Sequence, residues 1–136
     1  MLTVAEAQTR VHDLVAAARQ AGADAADVLY VCNESTSVSV RLGELEDVER
    51  SEGETIGLRL FVGSRSASVS SSDLSGDALS TLVDRAVAMA REAPEDRWSG
   101  LAPVDRLLRG AAPDLDADDG ADVAPEALRA RAPVAE

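Results

Sequence analysis

The chain contains no lysine; all thirteen of its basic residues are arginine. Chemistry that runs through a lysine amine, such as a Walker-type phosphate loop or a Schiff base, is therefore excluded. Aromatic residues are nearly as scarce: Tyr30, Phe61 and Trp98 are all there are in 136 residues. Three rings leave little from which to build a stacking platform for single-stranded nucleic acid. Positive charge is also in deficit, with 25 acidic residues against 13 basic ones and a formal net charge of −12. Such a chain repels a phosphate backbone, and no local basic patch offsets this. The single cysteine, Cys32, cannot close an internal disulfide, which fits a reducing compartment. No apolar run approaches the length of a membrane span. The N-terminus lacks the basic-then-apolar order of a secretion signal. The expectation is a cytoplasmic protein with neither a nucleic-acid nor a membrane partner.

What the chain does have is aliphatic. Hydrophobic residues make up 46% of it. Its length allows one domain that buries about two thirds of its unfolded surface. Residues 3–21 carry apolar side chains at helical spacing (Val4, Ala7, Val11, Leu14, Val15, Ala18). Thr3 with Glu6 fits a capping box, and Gly22 suits the position just past the helix. From 26 to 71 the period changes to two. Asp27–Asn33 is apolar on nearly both faces and reads as a central strand. Thr36, Val38, Val40 and Leu42 alternate with polar residues, and Leu42-Gly43-Glu44 supplies a turn. Leu45–Arg50 reads as an acidic edge strand, followed by a turn at Ser51-Glu52-Gly53-Glu54. Ile56, Leu58, Leu60 and Val62 alternate cleanly, Gly63-Ser64 is a tight hairpin turn, and Ala67 and Val69 alternate with serines. Residues 76–93 return to helical period, with Ser75 as N-cap and Leu74 and Leu79 as a hydrophobic staple. The fold class is α+β: a helix, an antiparallel meander of four to five strands, and a second helix, each helix free to cover one sheet face. Residues 1–94 form this domain. Residues 95–123 read as an extended acidic Ala/Asp/Pro/Gly linker. Residues 124–136 begin a further helix, as if this were the front piece of a longer protein.

Few residues here can carry chemistry. His12, the only histidine, has no second imidazole or thiol at ligand spacing. Cys32 has neither a base nor an electropositive setting and reads as a small buried apolar side chain. The stretch Asp114–Gly120 invites a calcium reading. From Asp114, however, Gly120 and Glu126 each arrive one residue late for an EF-hand loop, and shifting the count puts Leu115 and Ala117 where carboxylates are needed. The serines from 64 to 75 have no positioned histidine and acid. No catalytic or metal-binding residue is assigned. One dense acidic segment remains: Glu44, Glu46, Asp47, Glu49, Glu52 and Glu54, with only Arg50 among them. It is the candidate for docking a partner.

Several segments, in order, resemble the N-terminal domain of the TldD/PmbA family. They are Ala23–Val28, Val38–Glu49, Gly57–Gly63, Ser70–Ser75, Ala86–Arg91 and Trp98–Ala102. In detail the chain is more similar to the PmbA (TldE) type of subunit than to TldD. The resemblance implies a cytoplasmic heterodimer in which TldD-type and TldE-type subunits form a zinc metalloprotease that cleaves unfolded peptides. It also implies a historical link to DNA gyrase modulation. Zinc is held by an H-E-x-x-x-H motif in the TldD-type subunit, beyond this domain. That motif is absent here, so the resemblance carries no catalytic, cofactor or metal residue onto this chain. It implies instead a non-catalytic structural and assembly role beside a TldD-type partner. A free-standing acidic interaction module is the alternative.

Overall fold

The computed structural model describes residues 1–111, 113–117, 120 and 123–132. The first helix, α1 (Val4–Gln20), begins as its sequence requires. The Thr3 hydroxyl accepts from the Glu6 backbone N–H, and the Glu6 carboxylate accepts from the Thr3 N–H at 2.8 Å. At its far end the Gly22 N–H bonds Arg19 O and the Ala23 N–H bonds Ala18 O. This is the paired closure of a Schellman motif, and it needs the left-handed φ of +107° that glycine supplies at position 22.

Three strands follow: β1 (Ala25–Arg41), β2 (Glu44–Val62) and β3 (Arg65–Ser71), in the spatial order β1-β2-β3. The meander is thus three long strands rather than four or five. The expected turn at 51–54 is absent because Gly53 keeps an ordinary negative φ and β2 runs straight through it. The break expected near 33–36 is likewise part of β1. The expected placement of the first strand is overturned: the Asp27–Asn33 stretch lies in an outer strand. Leu45–Arg50 belongs to the middle strand but keeps the open edge expected of it. Since β3 has seven residues and pairs with Ile56–Val62, the Glu44–Thr55 stretch has β1 as its one strand neighbour among the described residues. Two turns do form as read. Leu42 and Gly43 both take positive φ, the pattern of a type I′ hairpin turn; Gly63 alone does so in the next turn.

The second helix, α2 (Gly76–Glu92), starts at Ser75, whose hydroxyl accepts from the Ala78 N–H. It ends where Ala93, preceding Pro94, turns extended. Arg65 donates to Arg91 O at 2.6 Å, satisfying a carbonyl at that end. A short 3₁₀ turn (Val104–Arg106) and a helix α3 (Pro125–Arg131) complete the elements. The helix expected over 124–136 extends to 133–136, which lie outside the described residues.

The chain divides into two compact units, one made of 1–32 and 53–106, the other of 33–52 and 107–136. In the first, both helices pack on the same sheet face, not one on each. Leu14 and Ala18 of α1 and Leu79, Leu82, Val83, Ala86, Val87 and Ala90 of α2 join a single cluster with Ile56, Leu58 and Leu60. The reason lies in the register. Leu58 pairs with Val69 and Leu60 with Ala67 on the apolar face, whereas Gly57 pairs with Ser70 and Arg59 with Ser68 on the other. Only one face offers enough apolar surface to hold helices. The second unit holds the hairpin tip and α3. Its strand residues from Arg41 to Glu52 are all exposed, and none of its described residues is buried.

Candidate functional site

The acidic segment is the natural place to look first. Glu44, Glu46, Asp47, Glu49 and Glu52 lie along the exposed first half of β2, within the coreless unit. Strand alternation sends Glu44, Glu46 and Glu52 to one side and Asp47 and Glu49 to the other. The segment is therefore a two-sided acidic ribbon, not a one-faced patch. Its own arginines temper it. Arg41 lies 3.7 Å from Glu46, and Arg50 holds both Glu34 and Glu52. These pairs are well exposed, and each contributes about 0–1 kcal/mol. Among the described residues Glu44, Asp47 and Glu49 make no ion pair.

Glu54 stands apart. It belongs to the unit with the core, where its carboxylate takes the N-terminal ammonium at 2.6 Å. That hydrogen bond, with a second from Tyr30, holds the carboxyl below the usual range. Tyr30 in turn accepts from the Leu2 N–H, and its phenol is pushed up, chiefly by desolvation. The structure thus gathers five of the six expected residues on one ribbon and commits the sixth to an internal tie.

The other candidates are quiet. His12 is exposed, and its Nδ1 lies 2.7 Å from Gln8 O one turn earlier. Cys32 is half-buried in β1 rather than fully buried, because it lies just where that strand leaves the core. Of the aspartate-rich stretch, Asp118 and Asp119 lie outside the described residues; Asp114 accepts from the Asp116 N–H in a local turn. Zinc chemistry needs three or four His, Cys or carboxylate donors at one point. Among the described residues no three come together in that way, so a resident zinc does not fit them.

Three features lie outside the expected site residues. On the open sheet face Arg59 grips Asp27 in a two-pronged bond of 2.9 and 2.6 Å, with its guanidinium 5.4 Å from the centre of the buried Phe61 ring. Alternation alone places Phe61 outward; the arginine cover is what it hides beneath. Trp98 is 79% exposed, with the Arg97 guanidinium 4.5 Å above its ring. Between α1 and α2 runs an open groove of about 750 Å³ with Asp13 on one rim and Asp84 on the other. The adjacent arginine and lone tryptophan are a legible signal. The groove, which depends on how two helices meet, is not.

Comparison with known proteins agrees with this architecture. Residues 26–90 match the family model described as PmbA/TldA metallopeptidase domain 1. The chain is 36% identical over 118 residues to the metalloprotease PmbA homolog of Haemophilus influenzae, covering 87% of this chain and 26% of that protein. It is 37% identical over 103 residues to metalloprotease PmbA of Escherichia coli O157:H7, covering 76% and 23%. It therefore spans about a quarter of the length of these curated relatives. In fold it is similar to a crystal structure from Bacteroides thetaiotaomicron, described as a candidate modulator of DNA gyrase. The TM-score is 0.74 at 24% identity, over 84% of this chain and 25% of that one. It is also similar to TldE from Thermococcus kodakarensis, with a TM-score of 0.62 at 16% identity, over 79% and 24%. With family model, relatives and fold in agreement, the chain belongs to the PmbA/TldD family and carries the first domain of that family.

Proposed function

We propose that this chain is the N-terminal assembly domain of a PmbA (TldE)-type subunit. It works in the cytoplasm beside a TldD-type subunit that supplies zinc, in a complex that cleaves unfolded peptides. One observation carries the reading: relatives named as metalloproteases match most of this chain, yet its described residues bring no metal-ligand set together. A domain of that kind contributes shape and contacts rather than bond cleavage. The acidic ribbon Glu44–Glu52 is exposed and suits a partner with basic side chains.

The test is a pull-down of this chain with a TldD-type subunit from the same cell, followed by zinc-dependent cleavage of an unfolded peptide. Binding, with no cleavage by this chain alone, is the expected result. Cleavage by the isolated chain that a chelator stops would overturn the non-catalytic reading. Failure to bind at low and high salt alike would overturn the assembly reading.

The exposure of the ribbon also favours a second reading, a free-standing acidic module that docks a basic protein. It requires association that weakens strongly with salt. Reversing Glu44, Asp47 and Glu49 must then weaken binding; unchanged affinity removes this reading.

A further inference from the structure

The absence of lysine leaves the α-amino group of Met1 as the one primary amine in the chain. The fold puts that group to use. Its ammonium lies 2.6 Å from Glu54 Oε1 on β2. One residue on, the Leu2 N–H donates to the Tyr30 hydroxyl on β1 at 3.3 Å. That hydroxyl also bonds the Glu54 carboxylate, so the two anchors are joined to each other. Thr3 then opens α1 as its N-cap. Residues 1–3 are therefore a strap that fastens the start of α1 to two strands. Met1, Tyr30 and Glu54 all belong to the unit with the core. The titratable groups that bear on the ammonium are Glu54 from β2, Glu6 from α1 and, from β1, Tyr30 with Cys32 beyond it. Both carboxylates favour a cation at that point. Met1 is also exposed, so a reagent reaches it from solvent.

We propose that the Met1 α-amine is the one site where an amine-acylating donor, a thioester or an anhydride, acts on this fold, and that an acyl group there releases the strap. With an anhydride, the nitrogen bonds the acyl carbon as an amide and the anhydride C–O bond breaks. The carboxylate leaves, and two protons pass from the ammonium to solvent. The product carries no charge at any pH, so it cannot pair with Glu54. It also adds bulk where the two atoms now stand 2.6 Å apart. An ion pair this exposed is weak enough for one acyl group to tip. The inference does not rest on the assembly reading, because it concerns one chain and its readouts need no partner.

The probe is acetic anhydride, applied to the 136-residue chain. Hydroxylamine then clears acetyl groups from oxygen and sulfur, and mass spectrometry locates the single acetyl that stays, on Met1. Tyr30 is the only tyrosine, so its ring resonances report the anchor directly. In the acetylated chain these resonances are expected to shift, and the Leu2 amide to exchange about fivefold faster, the scale of an exposed ion pair. Circular dichroism is expected to stay unchanged. Glu54→Gln, left unacetylated, reproduces both changes. It also speeds acetylation of Met1 at neutral pH by about fivefold, because the pair no longer holds the proton on nitrogen. An acetylated chain whose Leu2 exchange and Tyr30 resonances match the parent's overturns the proposal. So does Glu54→Gln that acetylates at the parent's rate, and so does a second acetyl that survives hydroxylamine elsewhere in the chain.

Discussion

The two halves of β2 obey the same alternation and differ in what they bury. In the C-terminal half Ile56, Leu58 and Leu60 are all but fully covered. In the N-terminal half the equivalent positions are Glu46, Val48, Arg50 and Glu52, all exposed. Hydrophobic burial holds one half in place. The other is extended because a type I′ turn and cross-strand hydrogen bonds keep it so. A hairpin without an apolar face is marginal in water, so its stability is local and small.

That contrast predicts an ordered series of effects. Leu60→Ala removes a fully buried side chain and is expected to cost about 2–5 kcal/mol by urea unfolding. Leu45→Ala in the hairpin should stay within about 0.5 kcal/mol. An equal cost at both sites would erase the distinction between the halves. Ala86→Leu, at a position with no exposed surface, should cost about 1–3 kcal/mol by overpacking. Thr3→Ala, which opens the capping box, should cost about 1 kcal/mol in the same assay. Leu42→Asn is expected to gain. Leucine at φ 52° carries a strain of about 1–2 kcal/mol that asparagine largely avoids. Amide exchange in the hairpin should slow while global unfolding stays unchanged.

Acid should act on the unit with the core. The Glu6 carboxylate is held below its ordinary range by the Thr3 hydrogen bonds, Glu54 by the N-terminal ammonium, and Asp73 by Ser75. A carboxyl lowered in the folded state stabilises above its ordinary value of about 4. That contribution is lost as pH falls through the lowered values. Thermal melts between neutral pH and about pH 3 should show this loss, and Glu6→Gln should flatten it.

Much of this was legible beforehand. Thr3 with Glu6, Ser75 and the Ile56–Val62 alternation each encode a local decision, and each element formed where its residues put it. What failed to show was global. An amphipathic stripe says that a helix must be covered, not which sheet face covers it. Gly53 permits a turn without demanding one, and its neighbours were all strand-compatible. Asp27–Asn33 looked central because both its faces are apolar, yet Leu29 is 66% exposed on the side without helices. Five of the six acidic candidates fell together because they are adjacent in sequence. Glu54 separated because its partner, the N-terminus, is distant in the chain.

Both helices bury alanine in the core: Ala18, Ala86 and Ala90 have no accessible surface, and Ala17 and Ala21 pack against the same cluster. Over evolutionary time such positions drift differently from a leucine core. A leucine can be exchanged for methionine or isoleucine of like volume. A buried alanine has only smaller or polar neighbours to move to. Ala18, Ala86 and Ala90 should therefore vary least from one descendant of this domain to the next.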